Sequence, residues 1–342
     1  MSDKKIKLAI THGDINGVGY EVIIKTFSDN RMTEFCTPVL YGSSKILSYH
    51  KKLLADKDIS NLTNAKDAKA IVDKKFNVIN ITNDEVKIDL GKSTEVAGEL
   101  SLKALDSACD DLVANNVDVL VTAPINKKNI QCQDFDFPGH TEYLENKFGG
   151  KSLMMMVCDR IRIGIVSSHV ALRDVPNVIT KELLLEKISV MNKSLKQDFG
   201  ITMPKIAVLA LNPHAGDNSL IGDEDDKVVS PAIKEAYNNG ILTFGPYPAD
   251  GFFGSSEFNN FDGILALYHD QGLIPFKLMS FTQGVNYTAG LPYVRTSPAH
   301  GTGYDIAGKD KASEDSFRNA VYLACDILKH RNEYKELTKN SI

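Results

Sequence analysis

The stretch KIAVLALNPH, residues 205–214, decides the fold class, because it is an apolar run that ends in a polar turn and a histidine. Two other stretches have the same form, RIGIVSSH at 162–169 and GILALYH at 263–269. In α/β proteins such runs are buried parallel strands, and ligands collect at the carboxyl ends of those strands. The terminal histidines are His169, His214 and His269. A single histidine after a strand is more often structural, but three at one sheet edge would hold a divalent metal and leave positions open for substrate.

Short apolar runs alternate with longer amphipathic stretches, which predicts βαβ units around a largely parallel sheet. The predicted strands are Ile6–Ile10, Pro38–Tyr41, Asn77–Ile81, Val117–Thr122, Leu153–Cys158, Ile163–Ser168, Lys205–Leu211 and Ile264–Tyr268. The predicted helices are Glu21–Phe27, Ser43–Leu54, Gly98–Ala114, Thr141–Phe148, Lys181–Gln197, Asp225–Asn238 and Ser313–Lys329. The lysine-rich stretch 55–75 is expected to be a solvated helix or loop.

Composition limits the classes of function. With 342 residues, 43% hydrophobic and 24% charged, the chain has a globular profile and is long enough for two lobes. Its formal net charge of −5 argues against a nucleic-acid partner. The five cysteines are scattered without a C-x-x-C pair, which fits a reducing compartment. Because we find neither a signal-peptide core nor an apolar run of membrane-spanning length, we expect a cytoplasmic protein with no membrane partner.

Basic and amide residues near turns predict an anion-binding site. His140 and Thr141 lie in FPGHTE, where a helix should begin, so free backbone N–H groups would join their side chains in binding an anion. The alternative is that Thr141 only caps the helix. Lys277, Asn286 and Arg295 follow the last histidine-ended strand among Gly and Pro turns. Arg295 would grip a phosphate or carboxylate with two parallel hydrogen bonds, and Lys277 would supply a point charge.

Two glycine-rich segments precede predicted helices. HGDINGVG at 12–19 follows the first strand, as a phosphate-binding loop would, but its spacing matches neither G-x-G-x-x-G nor the Walker A motif. The alternative is a tight turn whose glycines adopt positive φ. The second segment, HGTGYDIAG at 300–308, would hold a nucleotide with Asp305 near a ribose or adenine.

Taken together, these segments resemble the 4-hydroxythreonine-4-phosphate dehydrogenase family, the NAD(P)-dependent enzymes of pyridoxal 5′-phosphate biosynthesis. The matching stretches are THGDINGVGYE, VTAPINK, FPGHTEYL, SSHVALRDV, LNPHAGDN, GPYPADGFF, YHDQGLIPFK and VNYTAGLPYVRTSPAHGTGYDIAG. Together with the helix after the last stretch, they run from Thr11 to about Ala324 and so span nearly the whole chain. The fixed order of LNPHAG, YHDQG and GLP-x-x-RTS makes the resemblance highly specific.

The resemblance implies an α/β fold of two lobes with α/β/α layers, like that of isocitrate and isopropylmalate dehydrogenases, and an active site in the cleft between the lobes. Residues 1–130 with 290–342 would form the first lobe. Residues 131–289 would form the second and carry most metal and dimer contacts. Those enzymes hold the dinucleotide on other loops, which explains the missing Rossmann fingerprint.

The resemblance also implies the ligands. His169, His214 and His269 would bind one divalent metal, with His269 supplied by the partner subunit of a homodimer. Zinc suits imidazole ligands, and magnesium, manganese or cobalt are the alternatives. The substrate contacts would be His140, Thr141, Lys277, Asn286 and Arg295. NAD or NADP would lie on the second glycine-rich segment, at Gly301, Thr302 and Asp305.

The implied reaction is oxidation of the C3 hydroxyl of 4-phosphohydroxy-L-threonine by NAD(P)+. The product, 2-amino-3-oxo-4-phosphooxybutanoate, would lose CO2 to give 3-amino-2-oxopropyl phosphate. Asp250 and Asp270 are candidates for orienting a ligand or relaying a proton, and a turn or capping role is the alternative. Two other functions stay open: dehydrogenation of a related 4-phosphorylated threonate or erythronate, and a zinc-dependent lyase that needs no dinucleotide.

The chain departs from the family's usual pattern in two places. Its first loop reads GDINGVGYE at 13–21, where the family usually has GDPAGIGPE, and the loss of prolines changes loop stiffness. Ala299 stands where an aspartate usually precedes His-Gly-Thr, which removes a carboxylate beside the presumed cofactor segment. The sequence therefore leaves the preference between NAD and NADP open.

Overall fold

The structure, a computed structural model, describes residues 5–55, 57–131, 135, 137 and 139–339. Its strands are β1 (Lys7–Thr11), β2 (Thr37–Gly42), β3 (Leu62–Ala65), β4 (Phe76–Asn80), β5 (Val119–Thr122), β6 (Leu153–Cys158), β7 (Ile161–Ser167), β8 (Ile206–Leu209), β9 (Thr243–Tyr247), β10 (Gly263–Tyr268), β11 (Val285–Ala289) and β12 (Arg295–Pro298). Its α-helices are α1 (Gly19–Phe27), α2 (Arg31–Phe35), α3 (Ser44–Lys51), α4 (Glu95–Val113), α5 (His140–Phe148), α6 (Val175–Val178), α7 (Lys181–Gln197), α8 (Ser230–Asn238), α9 (Ala249–Gly254), α10 (His269–Met279) and α11 (Asp315–Lys339). Short 3-10 turns lie at Ala68–Ala70, Leu172–Asp174, Pro213–Gly216 and Glu257–Asn260, and Asp225–Val229 forms a π-helical turn before α8.

The chain divides into two compact units. The first comprises the described residues up to Phe148 together with Tyr293–Leu328. The second comprises Gly149–Pro292 and the described residues from Lys329 onward. The expected boundaries at 130 and 290 differ from this division. Helix α5 belongs to the first unit because its side chains bind α4, as in the 2.8 Å ion pair of Lys147 with Asp110.

The first unit is built on parallel strands in the order β3-β4-β2-β1-β5-β12. Helix α4 packs on β1, β2 and β5. The six residues of β2 are all buried, as expected of a parallel strand covered on both faces. This arrangement brings the carboxyl ends of β1, β5 and β12 next to one another.

The second unit has the strand order β11-β6-β7-β10-β8-β9. Its strands β7, β10, β8 and β9 are parallel to one another, whereas β6 is antiparallel to both β7 and β11. Only Asp159 and Arg160 separate β6 from β7, which is too short a connection for a parallel crossover. Helices α7 and α10 both pack on β7 and β10.

The described elements confirm the predicted α/β character and correct several details. Strand β3 and a 3-10 turn lie in the stretch 55–75, where a solvated helix or loop was expected, because β3 pairs with the edge of β4. The helix predicted over 225–238 is divided into a π-helical turn and α8. The elements that the sequence did not predict are β3, β9, β11, β12, α2, α6, α9 and α10. Among the described residues, no helix is long and apolar enough to cross a membrane.

Candidate active site

The three strand-end histidines lie at one edge of the second unit's sheet. Strand β10 pairs in parallel with β7 on one side and with β8 on the other, so the three strands are direct neighbours. His169 follows β7 by two residues, His214 lies in the 3-10 turn after β8, and His269 is the first residue of α10 after β10. The carboxyl ends of adjacent parallel strands therefore deliver all three imidazoles to the same edge, as the sequence pattern predicts.

Gln271 and Gly272 hold this edge together. The Gln271 side chain is buried, accepts a hydrogen bond from the Leu267 backbone N–H (2.7 Å), and donates one to the Ala210 carbonyl (2.6 Å). It thus ties the end of β10 to the end of β8. A Cβ at Gly272 would lie 2.4 Å from the Ile165 Cδ1 atom, so only glycine lets α10 approach β7 this closely. The motif YHDQG therefore positions His269 as well as containing it.

His214 lies in a loop of unusual backbone geometry. Residues 214–219 all have positive φ, and five of the six are not glycine. His214 itself has φ 55° and ψ 26°. Such conformations cost free energy and persist only where surrounding contacts enforce them. Asp225 supplies such contacts, because its buried carboxylate accepts hydrogen bonds from the backbone N–H groups of Leu211 (2.7 Å) and Asn212 (2.8 Å).

His169 and His269 line the same cavity of about 390 Å³. The other lining residues are Ser168, Val170, Leu172, Val175, Tyr268 and Asp270. The Nδ1 atom of His269 lies 2.7 Å from the Asp270 carboxylate, which fixes the ring and leaves Nε2 as the nitrogen for a ligand. This contact would suit an orienting role of Asp270, which stays a prediction.

The three histidines fit a divalent metal by their chemistry. Imidazoles from neighbouring strand ends, one of them oriented by a carboxylate, are suitable donors for a divalent cation. Among the described residues, however, no group of three or more His, Cys, Asp or Glu side chains is placed to hold a metal ion. The metal site of His169, His214 and His269 therefore stays a prediction. The arrangement of metal ligands that the family resemblance implies, in which a partner subunit supplies His269, is likewise a proposal.

Arg295 places a positive charge inside the first unit. It begins β12, is 2% exposed, and donates hydrogen bonds to the Thr122 hydroxyl from Nε (3.1 Å) and Nη2 (2.6 Å). Burial lowers the pKa of its guanidinium to about 10 because removal from water disfavours the charged form. Thr122 ends β5, the strand that pairs with β12, so the sheet itself aligns the two side chains.

His140 is held as a neutral hydrogen-bond donor. The Arg295 Nη2 group donates to the His140 Nδ1 atom (3.0 Å), so Nδ1 must be the accepting nitrogen and the proton must reside on Nε2. Burial and the charges of Arg295 and Lys127 lower the pKa of this imidazole well below its usual value. The Nε2 atom is buried and has no hydrogen-bond partner among the described residues. Arg295 and His140 therefore present donors suited to an anionic or carbonyl oxygen.

The remaining predicted site residues are spread over both units. Thr141, in the first turn of α5, lies in the first unit beside His140. Lys277 is exposed in the last turn of α10, and Asn286 lies on β11 with its Oδ1 atom buried and without a partner in the described chain; both belong to the second unit. Asp250 is an exposed residue of the first turn of α9, a helix that has no side-chain cap hydrogen bond at its N-cap residue Pro248, and its role stays a prediction.

The predicted cofactor residues belong to the segment after β12 in the first unit. Gly301 and Asp305 are exposed, and Thr302 is half-buried. A Cβ at Gly301 would meet no heavy atom within 4 Å, so its backbone borders open space. The dinucleotide site at this segment stays a prediction.

Sequence reasoning missed four residues that hold the others in place: Thr122, Asp225, Gln271 and Asp14. Each is a polar side chain that is almost fully buried. Thr122, Gln271 and Asp14 lie within motifs already noted for other residues, whereas Asp225 is the first residue of the predicted helix 225–238. Buried polar groups are retained where they make specific hydrogen bonds. For Thr122, Gln271 and Asp14, their position inside a motif was the sequence signal that could have pointed to them. The hydrogen-bond partners of all four residues became visible only in the folded chain.

Comparison with known proteins identifies the family. The family model described as "Pyridoxal phosphate biosynthetic protein PdxA" matches residues 34–324. The chain belongs to this family. This PdxA-family chain is 51% identical to the 4-hydroxythreonine-4-phosphate dehydrogenase of Bacteroides thetaiotaomicron over 345 residues, which covers 100% of the chain and 94% of the relative. It is 40% identical to the enzyme of the same name from Sulfurihydrogenibium over 93% of the chain and 97% of the relative.

Solved structures agree with this assignment. A crystal structure of 4-hydroxythreonine-4-phosphate dehydrogenase from Klebsiella pneumoniae has a TM-score of 0.81 to this PdxA-family chain at 31% identity, over 95% of the chain and 100% of that one. Isocitrate dehydrogenase from Methylococcus capsulatus, at 10% identity and a TM-score of 0.50, shows the shared fold alone. The expected fold class and family are therefore confirmed. The chain is a dehydrogenase, which implies a nicotinamide cofactor and does not support the zinc-lyase alternative.

Proposed function

We propose that this protein oxidises 4-phosphohydroxy-L-threonine with NAD(P)+ and yields 3-amino-2-oxopropyl phosphate. Loss of a hydride from C3 and a proton from its hydroxyl gives 2-amino-3-oxo-4-phosphooxybutanoate, NAD(P)H and a free proton. This β-keto acid then loses CO2. The observation that carries the proposal is the buried guanidinium of Arg295, which is hydrogen-bonded to His140 Nδ1 and leaves the buried His140 Nε2 as a donor. A substrate with a phosphate and a carboxylate supplies the anion that such donors attract.

The chain's own residues would bind and orient the substrate. Arg295 would attract one anionic group through its buried positive charge, and neutral His140 would donate from Nε2 to an oxygen of the same molecule. Thr141 adds a hydroxyl at the amino end of α5, where free N–H groups also favour an anion. Lys277 and Asn286 are proposed to contact the remaining phosphate or carboxylate oxygens.

His169, His214 and His269 are proposed to hold one divalent cation. When bound, the cation would polarise the substrate hydroxyl and favour its deprotonation, and it would also stabilise the negative charge that develops during loss of CO2. Asp270 would keep the His269 ring oriented through its contact with Nδ1. Zinc suits the imidazole donors best, and magnesium, manganese and cobalt are alternatives. A proton-relay role of Asp250 stays a prediction.

The nicotinamide cofactor would accept the hydride. We propose that NAD or NADP binds along the segment that contains Gly301, Thr302 and Asp305. The open space beside Gly301 supports this placement, because a ligand can approach the backbone there. The predicted cytoplasmic location also stays a prediction.

A homodimer is proposed because α10 carries exposed apolar residues. Ile274 and Leu278 lie one turn apart on this helix and are 59% and 84% exposed, and Phe281, just beyond its end, is 78% exposed. Exposed apolar side chains in such proximity mark protein–protein contacts. His269 begins the same helix, so a second copy that covers α10 would also approach the metal-binding edge.

The substrate assignment is tested by turnover of purified protein. Formation of NADH and NADPH would be followed with 4-phosphohydroxy-L-threonine, 4-phospho-threonate and 4-phospho-erythronate in the presence of each candidate metal. We expect the aminated substrate to have the highest kcat/KM, and 3-amino-2-oxopropyl phosphate to be identified by mass spectrometry. Turnover of only the threonate or erythronate would replace the proposed substrate. Failure to bind any nicotinamide dinucleotide would overturn the dehydrogenase proposal itself.

A further inference from the structure

The two glycine-rich segments of the first unit, 12–19 and 300–308, are bound to each other. The backbone N–H of Val18 donates to the Thr302 carbonyl at 2.9 Å. A Cβ at Gly17 would lie 2.6 Å from that same carbonyl oxygen, so the close approach requires glycine. The first segment is therefore packed against the second.

The glycines of the two segments face different surroundings. A Cβ at Gly13 would lie 2.2 Å from the Pro124 carbonyl oxygen, and one at Gly19 would lie 2.2 Å from the His12 carbonyl oxygen. Gly301, in contrast, borders open space. The first segment thus needs glycine for internal packing, which favours the tight-turn hypothesis over a phosphate-binding loop. Of the two segments, the second has the backbone that a ligand can reach.

Asp14 connects the segments through its side chain. Its carboxylate is fully buried, and Oδ2 accepts hydrogen bonds from the Tyr304 hydroxyl (2.6 Å) and the Asn129 amide (2.8 Å), while Oδ1 accepts one from the Asn16 backbone N–H (2.8 Å). The Tyr304 hydroxyl also accepts a hydrogen bond from the Asn126 amide at 3.1 Å. Burial, followed by the bond to Asp14, raises the pKa of Tyr304 to about 12, so the phenol keeps the proton that it donates.

Helix α1 holds the far end of the second segment. The Lys25 ammonium group lies 2.8 Å from Glu21 Oε1, from Asp310 Oδ1 and from the Ala312 carbonyl oxygen. Glu21 Oε1 also accepts a hydrogen bond from the Ala312 N–H at 2.8 Å. The segment is thus anchored at Thr302, at Tyr304 and beyond its end, while Gly301 and Asp305 remain exposed.

We propose that Asp14 and Tyr304 are positioning residues for the dinucleotide: Asp14 fixes the Tyr304 hydroxyl, and Tyr304 sets the backbone of 301–305 that receives the cofactor. This inference rests on the proposed cofactor site. It assigns the first glycine-rich segment a role as the support of the second. It also predicts that loss of the Tyr304 hydroxyl weakens binding of the dinucleotide and leaves binding of the phosphorylated substrate unchanged. The reason is that this hydroxyl only anchors the backbone of the segment.

The test is the variant Tyr304→Phe, which removes only the hydroxyl. The Kd of NADH and NADPH would be measured by nicotinamide fluorescence, and kcat and both KM values by steady-state kinetics. Since a hydrogen bond to a charged group is lost, we expect the Kd and KM for the preferred dinucleotide to rise about tenfold. We expect kcat and the KM for the phosphorylated substrate to stay near wild type.

A matched control is Tyr41→Phe, which removes another tyrosine-to-aspartate hydrogen bond of the first unit, from Tyr41 to Asp111 at 2.8 Å. It should leave the dinucleotide Kd unchanged. Asp14→Asn provides a second variant, and its combination with Tyr304→Phe should weaken binding by less than the sum of the two single effects, because the two variants share the bond between Tyr304 and Asp14. Unchanged Kd in Tyr304→Phe, or additive effects in the double variant, would overturn the positioning role. Wild-type protein that binds neither dinucleotide would instead overturn the proposed cofactor site and this inference together.

Discussion

Arg295 is buried, and two of its hydrogen-bond partners, the Thr122 hydroxyl and the His140 imidazole, are neutral groups. A buried guanidinium is costly unless hydrogen bonds and a counter-charge compensate for lost hydration. Glu142 supplies part of the counter-charge, and substrate oxygens would add to it on binding. Arg295 is therefore better suited to recognise an anionic group of the substrate than an exposed lysine would be.

Arg295→Lys tests this role. A lysine keeps the charge but loses the planar fork, so we expect kcat/KM for the phosphorylated substrate to fall about 10- to 100-fold, the value of one or two charge-assisted hydrogen bonds. The dinucleotide Kd should not change. Arg318→Lys, which alters an arginine bound to Glu314 and Asp315 at the start of α11, is the control and should remain active. Wild-type kinetics in Arg295→Lys would contradict the proposed contact.

At the scale of elements, the ends of β7, β10 and β8 are fixed by connections between strands. Gln271 joins β10 to β8, and the Ser167 hydroxyl donates to the Leu267 carbonyl at 2.6 Å, which joins β7 to β10. The loop after β8 would otherwise relax from its left-handed conformation. Asp225 prevents this because it binds two backbone N–H groups just before His214.

Asp225→Asn is therefore expected to weaken metal binding. An amide oxygen replaces only part of the carboxylate's accepting capacity, so the loop that carries His214 loses one of its restraints. The metal Kd should rise about 10- to 100-fold, as for other residues that orient metal ligands. Isothermal titration with zinc would measure it, with Asp223→Asn as the control, since Asp223 forms an exposed ion pair with Lys227. Equal zinc affinity in wild type and Asp225→Asn would exclude this role.

For the whole molecule, buried neutral histidines make stability depend on pH. His12 and His50 stack on either side of Tyr20, with ring centroids 5.3 and 5.1 Å from it. Burial lowers the pKa of both imidazoles from 6.5 to about 4. Between these values the unfolded chain binds protons that the folded protein does not. The stability that these groups contribute is therefore present above pH 6.5 and is lost as the pH falls toward 4.

The free energy of unfolding should thus decrease below pH 6.5 by about 1.4 kcal/mol per pH unit for each of these histidines. Urea unfolding, followed by far-ultraviolet circular dichroism across this range, would measure the slope. His50→Gln removes one titrating group. The free energy of unfolding of this variant should therefore change less steeply with pH than that of wild type, by the contribution of one histidine. Identical slopes in the two proteins would show that His50 does not titrate on unfolding.

The proposed dimer is also a property of the whole molecule. Leu278→Asp places a charge among the exposed apolar residues of α10. Burying this charge in a dimer interface would cost free energy, so we expect the two copies to dissociate. Sedimentation equilibrium should then show a monomer, and metal-dependent turnover should disappear with it, since His269 is proposed to come from the partner. Met203→Asp, at a 70% exposed site away from α10, should leave the dimer intact. A wild-type protein that is monomeric and active would refute the shared site.

Long apolar runs allowed the sequence to predict much of the fold. Strand β6 and helix α7 have the predicted limits, because periodicity and length are local properties. Strands β11 and β12 were missed because VNYTA and RTSP are short and partly polar, and become strands only through pairing with β6 and β5. Local propensity carries no information about such partners.

The sequence by itself determined the family, the α/β alternation and the position of each histidine after a strand, since these depend on residue type and order along the chain. Only the tertiary structure decided that β7, β10 and β8 are neighbours, and that Asp225, Gln271, Thr122 and Asp14 hold the functional residues in place. The physical reason is that a hydrogen bond between residues far apart in sequence exists only after folding has brought its donor and acceptor within about 3 Å. Tyr304 and Asp14, separated by 290 positions, are the clearest case.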